Sequence, residues 1–169
     1  MGLDATFPLA FAKSQLAIAG QGLPTSGSVF VSVADSDKRS VVLPVARLAA
    51  LGFEILTTEG TGKVLRRSGI PCRSLRKASQ PGDGASVIDL IESGDVDLVL
   101  NTPSGSDARA DGYAIRAAAT SMDVPMITTL QEFSAAVQAI EALPEEPFAV
   151  TSLQDHTRRL KDTRSGLPA

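Results

Sequence analysis

Short apolar runs alternate with helical patterns along most of the chain, and this alternation constrains the fold more than any other feature. Five apolar runs have the length and β-branched content of strands. They span Val29 to Val33, Phe53 to Thr57, Pro71 to Leu75, Leu98 to Asn101 and Pro125 to Thr128. Helical patterns follow each of them, at Ser40 to Ala50, Gly62 to Ser68, Ser86 to Ser93, Gly112 to Met122 and Leu130 to Leu143. Because strands joined by helical crossovers pair in parallel and carry helices on both faces, we predict an α/β three-layer sandwich with a five-stranded parallel sheet.

Two further segments flank this α/β region. Helical spacing of apolar residues predicts a short amphipathic helix from Pro8 to Ala19, and a Gly-, Pro- and Ser-rich linker follows it up to residue 27. We therefore expect the main domain to cover residues 28–161. At its end, Leu153 to Leu160 has the pattern of a surface helix, and we expect a frayed tail over residues 162–169.

Composition and charge exclude several classes of function. The formal net charge is −3 and the Lys and Arg residues are scattered, so the chain offers no cationic surface to a nucleic acid. No run approaches the 18 or so apolar residues of a membrane span, and no signal-peptide pattern is present. With a single cysteine, Cys72, no internal disulfide can form. We expect a cytoplasmic protein that contacts neither nucleic acid nor membrane.

The turns that follow the predicted strands carry hydroxyls, glycines and a few cations. In an open parallel sheet these turns meet helix N-termini, whose free N–H groups and dipole favour anions. Examples are Lys38 after the first strand, Thr58 to Gly62 after the second and Asn101 with Thr102 after the fourth. This mixture favours a phosphate-binding site. The alternative is that the hydroxyls only cap helices, which they commonly do without any ligand.

Motifs for cofactors and catalysis are incomplete. The Gly60-Thr61-Gly62 run lacks the third glycine of a dinucleotide loop, and Gly62-Lys63 is followed by valine where a Walker A loop needs Ser or Thr. The single histidine, His156, has no nucleophile or metal-ligand set near it in sequence. Four carboxylates in the second half of the chain are candidates for a general acid or base, but no two of them have a spacing typical of a catalytic pair. They are Asp83, Asp89, Asp107 and Asp111. We expect no cofactor, no metal and no catalytic residue in this domain.

Three stretches together carry a family resemblance. They are Phe53 to Thr61, Leu98 to Gly105 and Ile127 to Leu130, and they resemble the methylglyoxal-synthase-like domain family. Within that family the chain is most similar to the C-terminal allosteric domains of the large subunits of glutamine-hydrolysing carbamoyl phosphate synthetases, since Phe11 to Gln15 matches the segment that precedes those domains. The resemblance implies that residues 1–27 end a preceding synthetase domain and that the chain is a piece of a larger subunit.

The resemblance also implies a regulatory function. Domains of this kind bind UMP, IMP or ornithine as effectors and so control carbamoyl phosphate synthesis for the pyrimidine and arginine pathways. Catalysis belongs to the preceding synthetase domains, which use ATP with Mg or Mn and work with a small glutaminase subunit. The positions that match the family's effector site are Lys38, Thr58, Thr61, Lys77, Asn101, Thr102, Ser104 and Thr128. Thr128 and Thr129 match the loop at which ornithine binds between two domains.

Two departures from the family pattern affect the expected site. Pro103 stands where the family has a threonine, which removes a hydroxyl and a backbone donor. The segment from Ser79 to Gly84 lacks an arginine usual in the family, for which Arg76 or Arg109 could substitute.

Two alternative functions also stay open. One is a methylglyoxal-synthase-type enzyme, although that enzyme's acidic run after the fourth strand is missing here; the other is a docking module without a small ligand.

Overall fold

The computed structural model describes residues 1–19, 21–76, 85–102, 106–143 and 150–165. Strands and helices alternate through the central part of the chain, as the apolar periodicity predicts. The strands are β1 (Ser28–Val33), β2 (Glu54–Thr58), β3 (Arg73–Leu75), β4 (Leu98–Thr102) and β5 (Met126–Ile127). The helices are α1 (Phe7–Ala19), α2 (Val42–Ala50), α3 (Glu59–Arg67), α4 (Val87–Glu92), α5 (Ser106–Ser121), α6 (Leu130–Ala142) and α7 (Leu153–Ser165), with a 3₁₀ turn at Asp35–Asp37 between β1 and α2.

All five strands lie in one parallel sheet with the order β3-β2-β1-β4-β5. The central strand β1 pairs with β2 through Val31 and Thr57 and with β4 through Val33 and Thr102. This registry brings the carboxyl ends of β1, β2 and β4 to one edge. The predicted α/β fold class is confirmed, and the turns after these three strands are neighbours in space.

The core lies on both faces of the sheet because alternate residues of each strand point to opposite sides. Val29 and Val31 of β1 join a cluster with α2 and α6, which includes Leu48 and Phe133. Phe30 of the same strand joins a second cluster with Val87, Ile91, Val99 and Ile115, which covers the other face with α4 and α5. Helix α1 packs on α6 and contributes Ala12 to the first cluster. The sheet is therefore covered by helices on both faces.

Three helix ends behave as the sequence predicts. Gly52, Gly69 and Gly94 follow α2, α3 and α4 with φ of +91°, +80° and +80°. A residue with a Cβ is strained in this left-handed region, so glycine at these positions ends each helix at low cost.

Two helices begin earlier than predicted. Helix α3 starts at Glu59 instead of Gly62, and α5 starts at Ser106 instead of Gly112. In α3 the glycines mark close approach and not a helix boundary, since a Cβ at Gly62 would lie 2.8 Å from Thr57 Cγ2 and 2.9 Å from Ser74 Oγ. The helix therefore packs closer to β2 and β3 than a larger residue would permit.

At the end of the described chain, α7 continues to Ser165, beyond the Leu160 expected from the sequence. The proposed division into residues 1–27, 28–161 and 162–169 stays a prediction. The predicted apolar run from Phe148 lies mostly outside the described residues. Nowhere in the described ranges is a helix both long and apolar enough to cross a lipid bilayer.

Candidate functional site

A cavity of about 320 Å³ opens at the carboxyl ends of β1, β2 and β4. Its position follows from the strand order, because the turn after β1 lies between the turns after β2 and β4. Helices α3, α4 and α5 complete the wall through Gly60, Val87 and Ile115. The cavity is thus built from segments far apart in sequence, at the edge where parallel sheets commonly bind ligands.

Five of the eight residues predicted for the effector site line this cavity. They are Lys38, Thr58, Thr61, Asn101 and Thr102. Thr128 does not, because it follows the edge strand β5 and is exposed there. Lys77 and Ser104 lie outside the described residues, so their assignment stays a prediction.

The N-terminus of α3 forms one end of the cavity. Thr58 precedes the helix in an extended conformation and its side chain makes no capping hydrogen bond. The first N–H groups of any α-helix have no partner within the helix and carry a partial positive charge. Gly60, in the first turn, has no side chain to screen them. This end of the cavity therefore suits an anion.

The ammonium group of Lys38 adds a full positive charge at the same place. Its Nζ lies 3.3 Å from the point that a Cβ on Gly60 would occupy. The Lys38 side chain is 23% exposed and pairs with Asp35, Nζ to Oδ1, at 2.5 Å. The hydrogen bond from Lys38, together with its charge, lowers the pKa of the Asp35 carboxyl. Lys38 and Asp35 therefore form a charged pair at the mouth of the cavity.

Thr102 fastens the turn after β1 to the end of β4. Its hydroxyl accepts a hydrogen bond from the Ala34 backbone N–H at 3.0 Å and donates one to Asp37 Oδ2 at 2.8 Å. Because that donation uses the only hydroxyl proton, Thr102 has no hydrogen left to donate to a ligand. Its role in the site is to hold the loop that carries Lys38.

Thr61 performs a similar role between β1 and α3. Its Oγ1 accepts from the Val33 backbone N–H at 3.3 Å and from the Thr58 hydroxyl at 3.4 Å, and the residue is 1% exposed. These two accepted bonds use both lone pairs of the hydroxyl and hold the end of β1 to the first turn of α3. Asn101, 5% exposed on β4, is the remaining buried polar residue that lines the cavity.

Apolar side chains and two further charged residues also line the cavity. Phe30, Val87 and Ile115 supply the apolar surface, and Arg76 and Asp111 also line the cavity. Arg76 is held at the end of β3 by a parallel bridge to Ser86. Arg76, one of the two arginines predicted to substitute for the missing arginine, therefore lies at the cavity. The other candidate, Arg109, has a side chain outside the described part.

The apolar surface was not predicted. Phe30, Val87 and Ile115 are 1%, 2% and 5% exposed, so in sequence they resemble any other core residue. Only Val87 has a position that suggests a ligand contact. It begins the helix that follows β3, and ligands of parallel sheets commonly bind where a strand leads into a helix. Residues of this kind are recognised as ligand-facing only when the cavity beside them is known.

The four carboxylates considered as acids or bases have different positions. Asp89 belongs to a capping box at the start of α4, where the Ser86 backbone N–H and hydroxyl lower the pKa of its carboxyl. Asp111 lines the cavity. Asp83 and the Asp107 side chain lie outside the described part of the chain. Within the described part, no group of three or more His, Cys, Asp or Glu residues is arranged to hold a metal ion.

Comparison with known proteins identifies sequence relatives. The family model of the MGS-like domain matches residues 40–128, slightly more than half of the chain. A carbamoyl phosphate synthase large chain from Beutenbergia cavernae is 61% identical over 159 residues, which is 92% of this chain and 14% of that protein. The same protein from Arthrobacter sp. is 55% identical over 170 residues, and that from Pseudarthrobacter chlorophenolicus is 53% identical over 173 residues. This chain spans about 15% of the length of these relatives.

A solved structure is similar in fold. The crystal structure of ForH covers 82% of this chain and 93% of its own, with a TM-score of 0.51 and 18% sequence identity. At this identity the likeness concerns the fold alone.

Proposed function

Because this chain belongs to the MGS-like domain family, we propose that it is the nucleotide-sensing regulatory domain of a carbamoyl phosphate synthase large chain. The observation that carries the proposal is the convergence of Lys38 and the uncapped N-terminus of α3 in a cavity that apolar side chains also line. A nucleoside monophosphate has the matching division into a charged end and a flat, largely apolar end.

The size and chemistry of the cavity support UMP and IMP as ligands. About 320 Å³ lies at the lower end of the range typical of small-molecule sites. We place the phosphate against Lys38 and the first turn of α3, where charge-assisted hydrogen bonds are strongest. The base then lies toward Phe30 and Ile115, and hydroxyl or amino groups of the ligand donate hydrogen bonds to Asp111, which also lines the cavity.

Regulation requires that an effector favours one of two arrangements of the larger enzyme. We propose that nucleotide binding here changes how the domain contacts the remaining synthetase domains and so controls carbamoyl phosphate synthesis for the pyrimidine and arginine pathways. The small glutaminase subunit, ATP with Mg or Mn, and a cytoplasmic location belong to this proposal for the whole enzyme. We assign no cofactor to the domain itself.

Ornithine has a separate place in the proposal. Thr128 and Thr129 follow β5, outside the nucleotide cavity, and both are exposed. If a second domain is needed to complete that site, this chain alone binds ornithine weakly while still binding nucleotides.

Isothermal titration calorimetry tests the nucleotide site. We expect saturable heat with UMP or IMP, and a loss of about 10- to 150-fold in affinity for Lys38→Gln, since a charge-assisted hydrogen bond contributes about 1.5–3 kcal/mol. Lys63→Gln is the matched control, because Lys63 lies in α3 itself, one turn from Gly60, but is 64% exposed and pairs with Glu59. Absence of heat with both nucleotides, or equal losses in the two variants, would contradict the proposal.

One observation favours testing an enzymatic alternative. The carboxylate of Asp111 lines the same cavity and could abstract a proton in a methylglyoxal-synthase-type reaction. We expect no methylglyoxal when the protein is incubated with dihydroxyacetone phosphate. Methylglyoxal formation that disappears in Asp111→Asn would replace the regulatory proposal by an enzymatic one. A docking module without a ligand would give neither methylglyoxal nor binding heat.

A further inference from the structure

The pairing of Lys38 with Asp35 places a negative charge of the protein itself at the anion-binding end of the cavity. Both residues line the cavity, and their charged atoms are 2.5 Å apart. The two partners differ in environment, because the side chain of Asp35 is 93% exposed and that of Lys38 is 23% exposed. Asp35 is therefore free to swing into solvent, while Lys38 is held by the surrounding wall.

The position of Lys38 requires a compensating negative charge. Its ammonium stands beside Gly60 in the first turn of α3, where the helix dipole is positive and disfavours a cation. Glu59, in the same turn, lies close to Arg66 and Lys63 instead. Asp37 accepts a hydrogen bond from Thr102. Among these neighbouring carboxylates, the ion pair with Lys38 is made by Asp35.

We propose that Asp35 competes with the phosphate of the ligand for Lys38 and thereby sets the affinity of the site. A phosphate bound at the start of α3 takes the place of the Asp35 carboxylate beside the ammonium. Asp35 then turns outward at little cost, because it is already almost fully exposed. The inference rests on the proposed nucleotide site and adds a residue that opposes binding there.

Removing the competing carboxylate gives a defined prediction. We expect Asp35→Asn to bind both UMP and inorganic phosphate about two- to five-fold more tightly at low salt, the range expected on freeing a cation from an exposed ion pair. We expect the same gain in affinity for UMP and for inorganic phosphate, because the released ammonium of Lys38 contacts the phosphate group that both probes contain. Uridine, which lacks the phosphate, shows no gain.

Asp155→Asn is the matched control. Asp155 also forms an i,i+3 ion pair, with Arg158 at 2.8 Å in α7, and the substitution changes the net charge of the protein by the same amount. We expect this variant to bind UMP and phosphate as the unaltered protein does. Thermal unfolding of both variants verifies that the fold is retained.

The mechanism is tested by combining substitutions. In a Lys38→Gln background, Asp35→Asn should give no gain, since there is no ammonium left to release. An equal gain with and without Lys38 would show that Asp35 acts by long-range repulsion and would overturn the competition. Equal affinity of Asp35→Asn and Asp155→Asn would also overturn it, and would leave the nucleotide site intact as long as the unaltered protein binds UMP. Failure of the unaltered protein to bind UMP and phosphate would instead remove the proposed function.

Discussion

Replacement of Thr102 by valine tests whether this residue fastens the site or contacts the ligand. The substitution keeps the shape of the side chain and removes its hydroxyl. In the structure that hydroxyl accepts from the Ala34 N–H at 3.0 Å and donates to Asp37 at 2.8 Å, and Thr102 is 8% exposed. Valine therefore leaves one backbone donor and one carboxylate without these partners.

The expected cost follows from those two losses. A buried N–H left without a partner costs about 1–3 kcal/mol. Asp37 is half-buried and can turn toward water, so losing the hydrogen bond from Thr102 adds little to this cost. We expect the free energy of unfolding to fall by about 1–3 kcal/mol, toward the lower end of that range because the Ala34 N–H is only partly buried. Thr102→Ser is the control, because it keeps the hydroxyl and loses one methyl group, which costs about 0.8 kcal/mol.

Urea denaturation followed by circular dichroism measures both variants, and UMP titration measures their affinity. We expect Thr102→Ser to bind UMP almost normally and to be more stable than Thr102→Val. If Thr102→Val is as stable as Thr102→Ser but loses UMP affinity, the hydroxyl contacts the ligand directly and the fastening role is wrong.

Three further predictions concern the same domain. Gly60→Ala places a Cβ 3.3 Å from Lys38 Nζ, so we expect weaker UMP binding in calorimetry without loss of thermal stability, since alanine favours a helix. The pKa of Asp89 is lowered by hydrogen bonds from the Ser86 backbone N–H and hydroxyl. The stability that Asp89 contributes is complete above its unfolded pKa of about 3.8 and is lost as pH falls through the lower folded value, so Asp89→Asn should unfold with a shallower pH dependence below about pH 4. Lys77→Ala should weaken UMP binding by about 1.5–3 kcal/mol if Lys77 contacts the phosphate, and unchanged affinity in calorimetry would remove it from the site.

The fold was predictable because its three central strands, β1, β2 and β4, are short and largely buried. Alternation of these runs with helical spacing specifies a parallel sheet covered on both faces, whatever the details of each turn. The helix starts were less predictable. Gly62 resembles a boundary in sequence, but in the structure it allows α3 to approach Thr57 and Ser74, so tertiary contact decides its place.

The site was predictable to the extent that it depends on strand ends. Residues at the carboxyl ends of β2 and β4 and in the turn after β1 converge because these strands are neighbours, which explains Thr58, Asn101 and Lys38. Thr128 follows the edge strand β5. The sequence predicts that this strand belongs to the sheet but not its place in the strand order, so it could not show that Thr128 lies outside the cavity. The hydrogen bonds of Thr102 depend on a partner 65 residues away, which no local pattern indicates.

The most direct test of the account is a crystal structure of this chain with UMP. The account predicts phosphate oxygens within hydrogen-bonding distance of Lys38 Nζ and of the first backbone N–H groups of α3, with the base toward Phe30 and Ile115. A phosphate bound elsewhere on the protein, with the cavity at the ends of β1, β2 and β4 empty at saturating UMP, would contradict it.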